Sequence, residues 1–315
     1  MLRFALRRAT VTLATLLVVS LLAFLIPYLS GGDPARAVLR SRVSDNALDP
    51  AAVEALKADL GLDRPLLAQY VSWLGRVLGG DFGLSFTSRA PVAELLGDAL
   101  GVSVTLAVIA LSTAVLIAVP LGTLAATRHG GRLDHGITLL TQGFVAIPEY
   151  WLAPVLVLVF SRYLGWLPSA GWETPASLVL PALTLTLRPL AYVLRITRAA
   201  MIDVLAAPYI TAARGRGLGP GATLLRHGLR NGLLPVLTLS SVWFAGLLGG
   251  SVVIEVLFNI PGMGQLVYKG VVNQDIPVIQ GGLLCVVALA IAVSTMADLV
   301  GELINPTARV RHDAH

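Results

Sequence analysis

The chain contains few charged residues, one cysteine and almost no lysine. Charged residues make up 13% of its 315 residues, whereas soluble domains carry about 25%. The lone Cys285 excludes an internal disulfide framework. A P-loop needs Gly-Lys-Ser/Thr, and neither Lys57 nor Lys269 has that context, so we expect no ATPase motif in this chain. With 56% hydrophobic residues, the composition predicts an integral membrane protein.

Six apolar stretches are long enough to cross a bilayer, for which about 20 residues suffice. Helices are predicted rather than a barrel, because the stretches lack an alternation of period two. The first stretch follows a basic start, as a signal peptide does, but it exceeds the ~7–15 residues of a signal core, so we expect a retained helix. The predicted spans are Ala9–Leu29, Val102–Ala126, Gly136–Phe160, Ala176–Ile196, Leu233–Val253 and Val278–Leu303.

Arginines concentrate at alternate ends of these spans. The remaining short loops carry only Arg162 and Lys269, and positive charge marks the cytoplasmic side. We therefore expect both termini to be cytoplasmic, and the net charge of +5 needs no nucleic-acid partner. The arginines on the predicted inner side are Arg3, Arg7, Arg8, Arg128, Arg132, six between Arg195 and Arg230, Arg309 and Arg311.

The predicted fold class is an all-α integral membrane protein with six transmembrane helices and a small helical external segment. We expect an N-terminal helix at 1–30, the external segment at 31–100, a five-helix core at 101–305 and a cytoplasmic tail at 306–315. Within the external segment, Asp49 and Pro50 suit the start of one helix. The stretch "PLLAQYVSWLGRVLGGDFG" predicts a second, amphipathic helix that ends at glycines and caps the outer face.

The cytoplasmic loop at 201–232 is rich in arginine and glycine, which is unusual for this chain. Its sequence permits a helix around Thr211–Arg216, a break around Gly217–Gly221 and a second helix before span five. Such an elbow protrudes from the membrane. From the residues alone it is a loop that fixes orientation, a surface for lipid head groups or a docking site for a partner.

The loop resembles the EAA loop of ABC importer permeases. Ala212, Ala213 and Gly217 match the Ala-Ala-x-x-x-Gly core of that loop, although Thr211 replaces its glutamate. The spacing from Gly217 to Pro235 is similar to that of the dipeptide, oligopeptide and nickel branch. The chain also resembles this branch at Tyr209, His227, Arg230 and Asn231.

Five further stretches resemble this branch in the same order along the chain, and the closest resemblance is to its B-type subunit. Gly31 replaces a usual proline in the first stretch, and Asn305 stands where the family often has aspartate. The stretches are "GGDPARA", "LGLDRPLLAQYVSWLGRVLGGDFGLSF", "LGWLPSAGW", "IEVLFNIPGMGQLV" with "NQDIPVIQG", and "ADLVGELINP".

The resemblance implies half of the translocation pathway of an ATP-driven importer in the bacterial plasma membrane. It implies a C-type permease partner, two ABC ATPase subunits or one fused ATPase chain, an external solute-binding protein and the surrounding lipid. ATP and Mg²⁺ are expected on the ATPases, with no cofactor or metal in this chain. Members of the branch carry peptides, nickel chelates, haem or glutathione. The residues expected to couple to the ATPase are Ala212, Ala213, Arg214, Arg216, Gly217 and Leu218.

Two ionisable residues fall inside predicted spans, where an isolated charge is costly. Glu149 lies about 20 Å and Arg188 about 12 Å from the inner ends of straight helices, which permits an ion pair. Three roles for such a pair stay open from the sequence: it lines the pathway, it only stabilises the structure, or it contacts a partner subunit. Gly246 and Gly250 have the spacing of a helix-packing pair.

Two other classes of protein remain as alternatives, neither with an ATPase partner. A membrane enzyme needs a nucleophile and a base inside the spans, and no histidine lies clearly in a span. A secondary transporter leaves the elbow idle, and no inverted repeat is evident.

Overall fold

The computed structural model describes residues 2–29 and 63–304 of the chain. The predicted helix beginning at Asp49, the "GGDPARA" stretch, Asn305 and the tail at 306–315 lie outside the described residues.

The described residues are helical and contain no strand, apart from an isolated antiparallel bridge between Leu84 and Pro91. The helices are α1 (Leu2–Leu29), α2 (Leu66–Leu78), α3 (Val92–Thr127), α4 (Arg132–Ala146), α5 (Glu149–Tyr163), α6 (Val179–Leu205), α7 (Pro208–Gly215), α8 (Pro220–Gly232), α9 (Leu234–Gly250), α10 (Val252–Leu257), α11 (Met263–Val272) and α12 (Ile276–Ile304). The second half of α5, Val157–Tyr163, and the middle of α8, Leu224–Leu229, have π-helical hydrogen bonding.

Several helix ends follow from local sequence. The amphipathic helix predicted between the first two apolar stretches is confirmed as α2, which ends at Leu78 with Gly79 as its C-cap. Gly80 then takes φ +82°, a conformation open to glycine because it lacks a Cβ. Proline begins α7 and α8, where its missing N–H costs no hydrogen bond.

Four stretches of the described helices are each long and apolar enough to cross a membrane, and two bent pairs raise the number to six if each pair is one span. The pair α4 and α5 bends by 94°, and the pair α8 and α9 bends by 46°. The four single stretches are Arg8–Leu29, Val92–Thr127, Pro175–Leu205 and Ile276–Met296.

The prediction of one continuous helix for span three is wrong. The helix ends at Ala146 and restarts at Glu149, after Ile147 with φ −84° and ψ 118°. Pro148 disfavours helical backbone at the residue before it and offers no N–H to the preceding turn. Glu149 therefore lies in the first turn of a new helix.

The chain forms two compact units. The first comprises Met1–Ser103 and Pro261–Ile291, and its core joins α3, α11 and α12 through Val92, Met263 and Val278. A Cβ at Gly281 would lie 2.8 Å from Leu96 Cδ1, so glycine permits this approach between α12 and α3.

A buried carboxylate in the first unit orders the loop before α3. The Ser85 hydroxyl donates to Asp275 at 2.6 Å, and the backbone N–H groups of Phe86 and Thr87 donate to it at 3.0 and 3.1 Å. Asp275 is 2% exposed, and these three donors compensate the loss of water.

The second unit comprises Val104–Ile260 and Ala292–His315. Ala114 and Ala118 of α3 pack against Leu190 and Val193 of α6 in its core. A Cβ at Gly122 would lie 2.8 Å from the Leu194 carbonyl oxygen, so α3 and α6 approach closely. Each unit is a group of packed helices. The domain boundaries predicted from the sequence stay a prediction.

Candidate functional site

The elbow at 206–232 joins the long helix α6 to the apolar helix α9. α6 ends at Leu205, a two-residue turn follows, and Pro208 begins α7. The short α7 is followed by a second turn and by α8, which leads into α9. The predicted order of helix, break and helix is confirmed.

The end of α7 is a Schellman turn. The Gly217 N–H donates to the Arg214 carbonyl at 2.9 Å, and the Leu218 N–H donates to the Ala213 carbonyl at 3.3 Å. Gly217 has φ +86°, which side chains with a Cβ rarely adopt. Apart from its two chain neighbours, no heavy atom of the described residues lies within 4 Å of a Cβ built at Gly217. The glycine is thus required by the turn and not by crowding within the chain.

The two faces of α7 differ in exposure. Ile210 and Ala213 are fully buried within this chain. Of the six residues expected to couple, Ala213 therefore points inward and Leu218 is half-buried. The exposed ones are Ala212, Arg214, Arg216 and Gly217.

Two glycines of α8 let it pack closely on α6. A Cβ at Gly228 would lie 3.3 Å from Met201 Cε, and a Cβ at Gly232 would clash with Met201 Sδ. Met201 is fully buried. The four-residue spacing places both glycines on one side of α8, and the elbow is thereby fixed against α6. The Asn231 amide also donates to the Tyr209 hydroxyl at 3.4 Å, between α8 and α7.

A charged cluster, which we call the α6 clasp, consists of Asp134, Arg198 and His129. Arg198 of α6 donates to both carboxylate oxygens of Asp134, at 2.5 and 2.7 Å. The Gly130 N–H donates to the same carboxylate at 2.9 Å, and His129 Nδ1 lies 3.4 Å from it. The Asp134 side chain is only 3% exposed, so the bidentate guanidinium compensates a buried charge.

Sequence reasoning missed the α6 clasp. It counted Arg198 only among the charges that fix orientation, and it gave Asp134 no role. An acidic residue in the first turn of a helix, just after the Gly130–Gly131 pair, was the available signal. That signal does not identify the partner, which lies 64 residues away.

The structure brings together the two ionisable residues predicted inside spans. Arg188 Nη1 and Glu149 Oε1 are 4.0 Å apart, with side chains 47% and 23% exposed. The depth estimate for Glu149 assumed a straight helix, and that assumption is wrong because the chain bends between Ala146 and Glu149. The pair forms because Glu149 begins α5 beside α6, not because two straight helices align.

The other residues singled out from the sequence contribute less to a functional site. Among the described residues, no other helix lies within 4 Å of a Cβ built at Gly246 or Gly250, so this part of the chain does not bear out their interpretation as a packing pair. His227 is half-buried in α8. Over residues 2–29 and 63–304, no group of three or more His, Cys, Asp or Glu side chains could hold a metal ion.

Comparison with known proteins gives matches along nearly the whole chain. Residues 118–310 match the family described as binding-protein-dependent transport system inner membrane component, and residues 1–107 match its N-terminal family. A Brucella abortus protein named as a peptide transport system permease is 35% identical over 98% of both chains. The glutathione transport system permease protein GsiC of Escherichia coli K12 is 35% identical over 99% of this chain and all of its own.

One solved structure is similar in fold. It shows inward-facing conformations of the MetNI methionine ABC transporter, with a TM-score of 0.58 and 19% sequence identity. The match covers 67% of this chain and 96% of that chain.

Proposed function

The chain belongs to the family of binding-protein-dependent transport system inner membrane components. From that premise we propose that the chain forms half of a peptide translocation pathway. We also propose that α7 couples this pathway to separate ATPases. It is a multi-pass inner membrane protein and a permease subunit of an ABC importer. Such permeases are transport subunits rather than enzymes, and they work with other permease, ATPase and binding-protein components.

The proposed solute is a peptide. The observation that carries this proposal is the 35% identity, over nearly the full length, to relatives named for peptide and glutathione transport. Glutathione is itself a tripeptide, so both names describe one chemical class. The proposed partners are a C-type permease, two ATPase subunits or one fused chain, and an external solute-binding protein.

Reconstitution tests the function and the solute together. The chain would be co-expressed with the products of its neighbouring reading frames and placed in vesicles that contain ATP. Labelled di-, tri- and oligopeptides, glutathione, haem and a nickel chelate are then offered with the binding protein outside. We expect ATP-dependent uptake of peptides. Uptake that depends on neither ATP nor the binding protein would instead indicate a secondary transporter. Uptake of haem or the nickel chelate alone would show that the solute is not a peptide.

The exposed side of α7 is the proposed dock for the ATPase. Ala212 adds little bulk there, while Arg214 and Arg216 offer charges that can pair with carboxylates on a partner. Ala213 has a different part in this proposal, because its small side chain lets α7 pack on its own chain. The Schellman turn at Gly217 sets where α7 ends and where Leu218 begins the return to the membrane.

The proposed topology has six spans with both termini in the cytoplasm. It counts each bent pair as one span, so the α4–α5 and α8–α9 pairs join the four straight stretches. The distribution of arginines supports this orientation, because it places the arginine-rich elbow on the inner side.

We expect labelling of single cysteines to follow this topology. In a Cys285→Ser background, Arg214→Cys should react with a membrane-impermeant maleimide only after the cell is opened. Glu54→Cys should react in intact cells. External labelling at position 214 would contradict both the topology and the dock.

We also propose that Glu149 and Arg188 form an ion pair along the pathway. Removal of one partner leaves the other charge within the membrane region, which is the costly state. Glu149→Gln and Arg188→Gln should each reduce uptake more than the double substitution does, with a coupling free energy of about 0.5–3 kcal/mol. Uptake and the yield of assembled complex are the readouts. Additive effects of the two substitutions would remove this pair from the mechanism.

A further inference from the structure

Helix α2 packs on the last turns of α1 through aromatic side chains. The Tyr70 hydroxyl and the Ser20 hydroxyl are hydrogen-bonded at 2.7 Å. The ring of Phe24 lies 5.5 Å from that of Tyr70 and 5.8 Å from that of Trp73. This side of α2 is therefore turned toward α1.

The contacts on α1 lie below the end of its apolar stretch. That stretch, Arg8–Leu29, has 22 residues, or about 33 Å at ~1.5 Å per residue, which matches a hydrocarbon core of about 30 Å. Phe24 lies five residues before Leu29, about 7 Å from that end, and Ser20 lies about 13 Å from it. α2 therefore contacts α1 within this apolar stretch and not beyond its end.

The remaining surface of α2 has two different sides. At 100° per residue, Leu67, Val71 and Leu78 fall within one narrow sector beside the α1 contact, and we call them the apolar stripe. Their exposed fractions are 74%, 60% and 80%. Ser72 and Arg76 fall on the other side of the contact, and both are exposed. Arg76 is the one charged residue in α2.

The surface of α1 at the same depth indicates what covers the apolar stripe. Leu17, Leu21 and Leu22 of α1 are 52%, 44% and 53% exposed. Exposed leucines on a spanning helix are as apolar as lipid acyl chains and suit contact with them. The apolar stripe lies on a helix packed beside these leucines, so it continues their apolar surface.

We propose that α2 is an interfacial helix whose apolar stripe is buried among lipid acyl chains. Tyr70 and Trp73 attach it to α1, and Leu67, Val71 and Leu78 point into the leaflet at the C-terminal end of α1. Ser72 and Arg76 face the head groups and water. An amphipathic helix with apolar side chains on one side and a basic residue on the other has this preference. The segment is then an anchor in the leaflet rather than a cap above it.

Spin labels can distinguish lipid, water and protein around α2. In a Cys285→Ser background, single cysteines replace Val71 and Leu78 on the apolar stripe, and Ser72 and Arg76 on the polar side as matched controls. The full chain, with the subunits that co-purify with it, is placed in phosphatidylethanolamine–phosphatidylglycerol nanodiscs. Collision rates are measured with oxygen, which concentrates in acyl chains, and with a water-soluble nickel chelate.

We expect labels at 71 and 78 to collide severalfold more with oxygen than with the nickel chelate, and labels at 72 and 76 to show the reverse order. Dominant nickel collisions at 71 and 78 would place the stripe in water and overturn the proposal. Low rates with both reagents would also overturn it, because they mean that a partner permease, a binding protein or a second copy covers the stripe. If Val71→Cys fails to assemble, Leu67→Cys reports on the same stripe.

Discussion

Replacement of Gly217 with valine is expected to lower uptake about tenfold or more while the protein still reaches the membrane. Gly217 has φ +86°, and a β-branched residue in this region of backbone space is strained by about 1–3 kcal/mol. The strain is relieved if the Schellman turn opens, which moves the end of α7 relative to α8. Each 1.4 kcal/mol of such a shift changes a population about tenfold.

Strain and bulk predict different outcomes for other residues at this position. Asparagine is larger than alanine but tolerates positive φ. If the turn conformation is what matters, Gly217→Asn should retain most uptake and Gly217→Ala should lose more. If the glycine is needed because a partner helix approaches it, Gly217→Asn should fail as valine does. Gly215→Ala is the matched control, because Gly215 lies within α7 and no other described part of the chain comes within 4 Å of a Cβ built there.

The measurements are uptake and ATP hydrolysis in the same vesicles. We expect Gly217→Val to assemble with its permease partner and to hydrolyse ATP without transport. Normal uptake by this variant would mean that the loop serves orientation alone. The coupling role proposed for Ala212, Arg214, Arg216 and Leu218 would then be wrong.

The parts of the fold that sequence predicts well are those that depend on local chemistry. The run of apolar residues defines α1 and α3, and the order of helix, turn and helix in the elbow follows from Gly217, Gly219 and Pro220. Gly217 has positive φ, which fits the break predicted at this glycine. In each case the cause lies within a few residues of the effect.

The bend before Glu149 shows why proline alone does not predict a break. Pro120 lies inside α3 and Pro189 inside α6, and both helices continue, since packed neighbours in membrane proteins can satisfy the freed carbonyl groups. At Pro148 the preceding residue takes extended backbone and the helix direction changes. Whether a helix continues through a proline or breaks there depends on tertiary packing. The sequence around each proline does not reveal that packing.

The Asp134–Arg198 pair is a second feature that no local pattern reveals, and its removal is the other change with a large expected effect. Asp134 is 3% exposed and Arg198 is 26% exposed. Loss of the arginine leaves a buried carboxylate that keeps the Gly130 N–H as a donor at 2.9 Å and His129 Nδ1 at 3.4 Å. Breaking a buried pair by removing one partner typically costs about 3–5 kcal/mol.

We therefore expect Arg198→Leu to reduce the yield of folded complex and its melting temperature more than Asp134→Leu does. The asymmetry arises because the carboxylate is the more buried group and the guanidinium can reach water. The double variant should be more stable than Arg198→Leu, since it leaves no uncompensated charge. Arg195→Leu, an exposed position one turn earlier on α6, is the control and should change melting by a small amount.

The position of the α6 clasp extends this prediction from stability to transport. Arg198 lies seven residues before the end of α6, and α6 runs into α7 after a two-residue turn. Loss of the clasp removes the contact between the last two turns of α6 and the start of α4. We infer that movement of the proposed dock on α7 would then no longer be passed to α4. Near its permissive temperature, assembled Arg198→Leu protein should hydrolyse ATP with reduced uptake, and the double variant should regain stability but not full uptake. If restored stability brings restored uptake, the clasp holds the fold alone and takes no part in coupling.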